Sequence, residues 1–235
     1  MIRLHASAVF QVRDGFTGRV LEGGGLLCAL DGASVRPLFK PGGYLVLVNL
    51  APGPHRLTLR AAGFQEEQAD FVCPPSAVYQ GYLALKPAPG RPLPPGAAVV
   101  RAAGLEPGRP VWLTVPGGGE CRVAQTQAEA GAEELRLFPK GNPPVPGPFL
   151  ADDPAAEIVV LSALEGETGR LSAPLSAAHG RSCPLLPAQC YRADREGGLT
   201  AAFPRPGPLV LFQPGRGVLA RAELKEGVQE LTLDL

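Results

Sequence analysis

Residues 40–64, KPGGYLVLVNLAPGPHRLTLRAAGF, restrict the fold more than any other stretch of the chain. Gly42 and Gly43 make a turn, and the apolar run Tyr44 to Leu50 is short enough to be a buried strand rather than a helix. Ala51-Pro52-Gly53-Pro54 is a second turn, with glycine free to take positive φ and proline presetting its own. From Arg56 the residues alternate strictly. Leu57, Leu59 and Ala61 share one face, and Arg56, Thr58 and Arg60 the other, the pattern of a half-buried strand. A helix cannot use this period. The chain must pair strands around tight turns.

The same alternation opens the chain. Ile2, Leu4, Ala6, Ala8, Phe10 and Val12 fall on one face of an eleven-residue strand. Asp14-Gly15-Phe16-Thr17-Gly18 is a turn, Leu26 to Leu30 a short strand, and Asp31-Gly32 its hairpin turn. Phe71 and Val78 to Leu85 supply the last strands before Pro87. Glycine and proline, 30 and 27 residues, make about a quarter of the sequence. They lie between apolar runs, which is the distribution of an all-β chain rather than a low-complexity one.

These residues carry a resemblance. The Asp14–Gly18 turn, the glycine turn before Tyr44, Leu50-Ala51-Pro52-Gly53-Pro54-His55 and the pair Gly63-Phe64 resemble the carboxypeptidase regulatory-like family, which is related to transthyretin-like and Cna-type B domains. His55 stands where that family usually has Tyr. The resemblance covers about residues 4–86 and implies a seven-stranded Greek-key sandwich of an accessory or binding kind. The isopeptide bond of some Cna-type domains is not expected, because the first strand has no Lys and the last no Asn.

Pro87 to Gly96 holds five prolines and reads as a semi-rigid linker. Beyond it, Ala98 to Arg101, Val111 to Val115, Cys121 to Ala124, Leu135 to Phe138, Ile158 to Leu164 and Leu171 to Leu175 are strand candidates. The Ala- and Glu-rich Gln125 to Glu134 suggests one helical turn. The end of the chain repeats the beginning weakly. Asp194 to Thr200 resembles the glycine turn before a strand, Arg205 to Leu211 resembles Ala51 to Leu59, and Gly215 falls where Gly63 would. The expected fold is therefore all-β, with two tandem Greek-key β-sandwiches: residues 1–86, a linker at 87–96, and a somewhat larger sandwich at 97–235.

Charge and chemistry narrow the function. The 22 basic and 22 acidic residues cancel, so no net field would draw the chain to nucleic acid or an anionic membrane. No apolar run reaches the length of a membrane span. With no leader pattern and five cysteines outside any zinc or disulfide spacing, a cytoplasmic protein with reduced thiols is expected. His5 and His55 read as surface or edge residues. His179 and Cys183 share one segment, yet nothing in the sequence supplies the contact and third group a nucleophile requires. Asp152-Asp153 reads as a solvated turn, since adjacent aspartates alternate sides and calcium needs more oxygens. No catalytic, cofactor or metal residue is assigned, and no enzyme activity is expected.

What is expected instead is a structural or interaction protein with protein partners in a larger assembly of unspecified stoichiometry, for which a phage-tail-like or contractile injection particle is the specific expectation. The alternative is a carbohydrate-binding or adhesive module. The proline tract after Lys140 offers a candidate partner-binding loop, Pro143, Pro144, Val145, Pro146, Pro148 and Phe149, in polyproline II form or as an ordinary surface loop. Trp112, inside an alternating run, reads as core rather than as a sugar platform.

Overall fold

In the computed structural model, residues 4–140 and 144–233 are described, and every regular element among them is a strand. The chain divides into two compact units, Met1–Pro92 and Leu93–Leu235.

The first unit is built from β1 (Ala6–Asp14), β2 (Leu27–Leu30), β3 (Ala33–Val35), β4 (Leu38–Lys40), β5 (Tyr44–Val48), β6 (Gly53–Arg60), β7 (Glu67–Cys73) and β8 (Tyr79–Leu85). One sheet runs β4-β5-β1-β8 and the other β3-β2-β6-β7. All the pairings are antiparallel except that of β1 with the closing strand β8. Alternation decides which side chains enter. Ala8, Phe10 and Val12 from β1, Leu45 and Leu47 from β5, Leu57 and Leu59 from β6, and Leu83 and Leu85 from β8 fill one core. Phe10 meets Phe71 edge to face at 5.2 Å and Tyr79 at 5.4 Å. Tyr44 to Leu50 is not a fully buried strand. Its strand, β5, is half-buried in alternation and stops at Val48, before Asn49, whose φ is positive.

The first half of the proline tract belongs to this unit. Phe64 bridges to Pro87, Ala88 donates its N–H to Gly63, and the Arg91 guanidinium lies over the Phe64 ring at 4.7 Å.

The second unit begins with β9 (Ala98–Ala103) and β10 (Pro110–Thr114). There follow β11 (Cys121–Val123), β12 (Gln127–Ala128), β13 (Glu134–Pro139), β14 (Gly147–Ala151), β15 (Glu157–Glu165), β16 (Thr168–Leu171) and β17 (His179–Gly180). It ends with β18 (Pro184–Arg192), β19 (Leu199–Phe203), β20 (Gly207–Gln213), β21 (Gly217–Leu224) and β22 (Gly227–Thr232). Two bodies share these strands. A sandwich is made by β19-β9-β22 against the second half of β18 with β10-β20-β21, around Val100, Leu113, Tyr191, Phe203 and Leu211. Its wiring repeats the first unit's. The first strand, β9, pairs antiparallel with β19 and parallel with the closing strand β22, as β1 does with β5 and β8.

The difference is an insertion. Where β2 and β3 turn at Asp31-Gly32, their counterparts β10 and β18 part, and the intervening chain forms a closed antiparallel barrel, β11-β13-β16-β15-β14-β18 and back to β11. Cys121, Leu135, Leu137, Phe149, Leu161 and Leu185 fill it. Gly169 is a packing requirement there, since a Cβ would lie 2.9 Å from both Leu137 and Leu161. Residues 97–235 thus contain a sandwich plus an inserted barrel that the sequence reading did not separate. The helical turn expected at Gln125 to Glu134 is absent; its place is taken by β12, paired with β17. A third apolar cluster, Leu150, Ala188, Val210 and Phe212 with Trp112, Ile158 and Leu186 against it, draws on strands of both bodies.

Candidate functional site

Four side chains with chemical potential converge in the barrel. The turn after β14 carries Asp153, β15 starts with Glu157, β17 starts with His179, and Cys183 precedes β18. Period two explains Glu157. It shares the phase of Val159 and Leu161, which point into the barrel, so its carboxylate is turned inward and is only 15% exposed. His179 is 1% exposed, and Cys183 is buried.

The imidazole is held from both sides. Nδ1 lies 2.9 Å from Asp153 Oδ2, and Nε2 lies 2.8 Å from Glu157 Oε1. Glu157 is fixed in turn by the Ser176 N–H at 3.0 Å, the Ser176 hydroxyl at 2.5 Å and the Ala177 N–H at 3.0 Å. Asp153 Oδ1 accepts the Ala155 N–H at 2.9 Å. Cys183 Sγ stands 3.9 Å from the same Nδ1. One donor atom each from Asp153, His179 and Cys183 lie within 4.8 Å of one another.

The charge states follow. Burial disfavours the imidazolium, but the bonds to Asp153 and Glu157 outweigh it and raise the His179 pKa. Burial likewise opposes ionisation of both carboxylates. Bonds from His179 and Cys183 nevertheless hold Asp153 low, and bonds from Ser176 and His179 hold Glu157 low. Cys183 is pushed up to about 12, by burial first and by the Asp153 charge second. A thiol in that range is no nucleophile near neutral pH, and a ring nitrogen committed to a carboxylate on each side is no free base.

The sequence reading set aside His179 with Cys183 and took Asp152-Asp153 for a solvated turn. The structure brings His179 and Cys183 into contact and buries most of both aspartate side chains. Asp152 receives both terminal nitrogens of Arg221, at 2.6 and 2.9 Å, while Asp153 turns to His179. Glu157 was missed, although a carboxylate in phase with Val159 and Leu161 is a signal the sequence carries. His55 stands near the start of the inner strand β6 with its side chain 13% exposed, bonded through Nδ1 to Asp31 at 2.7 Å and through Nε2 to the Ala51 carbonyl at 2.8 Å.

The expected partner loop is divided. Pro143 lies outside the described residues. Pro148 and Phe149 are in β14, and Phe149 is 2% exposed in the barrel core, so it cannot anchor a partner. Pro144, Val145 and Pro146 precede the strand, with Val145 exposed. Trp112 packs against Val210 and Phe212 rather than standing open as a platform.

No protein family's sequence profile matches the chain, and no curated protein matches it. The carboxypeptidase regulatory-like and transthyretin-like assignments therefore gain no support. Solved structures do resemble it. One is a streptococcal ancillary pilin, 12% identical, with 96% of this chain matched to 61% of that one at a TM-score of 0.29. Another is BcpA, the major pilin subunit of Bacillus cereus, 8% identical over 98% of both chains at 0.29. A third is the Bacillus anthracis TIE protein, 12% identical over 97% of this chain and 32% of that one, at 0.30. The chain thus spans less than two thirds of the streptococcal pilin it matches. Scores near 0.3 establish neither a family nor a function, and the all-β sandwich assignment rests on the strands themselves. The cytoplasmic expectation is withdrawn. The solved structures that resemble the chain include pilin subunits, and none is of a cytoplasmic protein by its description.

Proposed function

We propose that this chain is a non-enzymatic structural module that works by joining other proteins in a larger assembly. The observation that carries the reading is the insertion. A sandwich that repeats its neighbour's wiring has opened one hairpin to hold a closed barrel, and the apolar cluster around Val210 and Phe212 fastens the two bodies together. Barrels and loops grafted on a rigid β scaffold supply surface for recognition without disturbing the scaffold's core. Among the described residues the edge strands β7 and β22 each pair with one neighbour, and such edges accept an added strand.

The buried cluster fits that reading, since burial and the Asp153 charge favour the protonated Cys183 thiol and both ring nitrogens of His179 face carboxylates. The finer form of the proposal is a component of a phage-tail-like or contractile injection particle, and that form rests on analogy alone. Sedimentation of native lysate tests it. A chain that pellets with a megadalton particle, together with that particle's other proteins, is the expected result. Recovery of a free monomer near 24.5 kDa would overturn the assembly reading.

A further inference from the structure

We propose that Asp153, His179 and Cys183 form a binding site for one zinc ion, with Glu157 as the outer carboxylate that orients the histidine. The donor set selects the metal. Imidazole with thiolate suits zinc and its first-row neighbours, whereas calcium and magnesium take oxygen. The spacing is close to what a tetrahedral ion needs. Bond lengths to zinc place neighbouring N, O and S donors about 3.4–3.6 Å apart. Nδ1 of His179 lies 3.9 Å from Cys183 Sγ and 2.9 Å from Asp153 Oδ2. Shifts of about half an ångström, in two turns rather than in the barrel strands, close the difference.

The outer residues argue for the same atom. Metal-bound histidines donate their remaining N–H to a carboxylate, which fixes the tautomer. Glu157 occupies that place on Nε2, and its own orientation is set by Ser176 and Ala177. With Nε2–H so committed, the Nδ1 lone pair points towards Asp153 and Cys183 once its proton has left.

The exchange balances. Without metal, two carboxylates face one imidazolium and one neutral thiol, leaving one net negative charge. Zinc displaces the Nδ1 proton and the Sγ proton, both released to solvent, and brings two positive charges in their place. The net charge is unchanged, and no oxidant or reductant is required. Asp153 keeps 18% of its side-chain surface in solvent, so a water molecule can reach the cluster to supply a fourth ligand.

The test is titration of the purified full-length chain, stripped with a chelator, with zinc against a chromophoric competitor and with cobalt(II) as a spectroscopic probe. One zinc per chain is expected, with a rise in Tm and a near-ultraviolet thiolate-to-cobalt band. Cys183→Ser should abolish that band and Asp153→Asn should weaken zinc binding by about tenfold or more, whereas Cys190→Ser leaves both unchanged. If Cys183→Ser fails to fold, the wild-type cobalt band decides alone. Absence of that band, or zinc binding that survives Cys183→Ser in folded protein, would overturn the proposal and leave the cluster a bare imidazolium between carboxylates.

Discussion

The backbone N–H of Val115 donates to the carbonyl of Pro187 at 2.7 Å, one step beyond the paired residues Thr114 and Ala188. The chain therefore leaves the second sandwich and re-enters it at a single point, and everything between those residues is an excursion from one hairpin. This arrangement lets a barrel be added without altering the order of the sandwich strands.

Replacing residues 116–186 by Asn-Gly should leave a sandwich that still folds, because β10 and β18 keep their pairing from Thr114 and Ala188 onward. The excision removes Leu150, Ile158 and Leu186 from the cluster that covers Trp112, Val210 and Phe212. Trp112 is the only tryptophan, so its emission reports the uncovering. A red-shifted maximum with cooperative unfolding at a lower Tm is expected. Loss of all cooperative unfolding in the second unit would show that barrel and sandwich form one inseparable fold.

Glycine tolerance should differ sharply between positions of similar φ. At Gly43 (φ +71°) a Cβ would sit 2.8 Å from the Val12 carbonyl oxygen, and at Gly197 (φ +77°) 2.4 Å from that of Leu105. These occupy equivalent turns, each ahead of the strand that pairs with its unit's first one, β5 and β19. Gly18 has φ +73° and nothing within 4 Å. Substitution by Ala at Gly18 should cost only the left-handed backbone penalty, about 1 kcal/mol. The same change at Gly43 or Gly197 should cost about 3 kcal/mol, since backbone atoms must shift as well. Denaturant unfolding of the three variants measures the ordering, and equal costs would contradict it.

Much of this was legible in the sequence where local chemistry and tertiary packing agree. Asp31-Gly32 is a hairpin turn with both residues at positive φ. Gly53-Pro54 and Gly207-Pro208 each open the third strand from the end of its unit, which is why the late repeat could be seen. The barrel was not legible because closure depends on long-range partners. Leu185 reaches Cys121 only across the whole excursion, and short apolar runs look alike in sandwich and barrel. Phe149 was misread because its proline neighbours suggest an exposed tract, while pairing with Pro187 and Val159 draws the ring inside. The His179 cluster escaped for a similar reason, since its members come from two turns and the starts of two strands, β15 and β17.

The pair His55–Asp31 should give the first unit a defined pH window. Both ring nitrogens of His55 face acceptors, so the imidazolium is the bonded form. The Ala51 carbonyl first and Asp31 second raise its pKa above 6.5. The Arg56 N–H first and His55 second hold Asp31 below 3.8. A raised histidine stabilises fully below its unfolded pKa, and that contribution is lost as pH rises through the folded value. A lowered aspartate stabilises fully above its unfolded pKa, and loses its share as pH falls through the folded value. Both contributions are complete between pH 3.8 and 6.5. The Tm difference between wild type and Asp31→Asn should therefore be largest there and shrink on either side. A difference that stays flat from acid to mildly alkaline pH would remove the pair from the account.

His179→Ala is the sharpest probe of the barrel. The change deletes the cation bonded to both Asp153 and Glu157, and leaves a cavity where the ring stood. Breaking a fully buried ion pair costs about 3–5 kcal/mol. The carboxylates here keep 18% and 15% of their surface in solvent, so a loss of about 2–3 kcal/mol in metal-free protein is expected. Asp153→Asn combined with Glu157→Gln in the same background should recover part of that loss, because neutral amides remove the repulsion that the missing imidazolium no longer offsets. Urea unfolding of the single and triple variants separates the two contributions. If the triple variant is no more stable than His179→Ala alone, packing of the ring, and not charge, is what holds this end of the barrel closed.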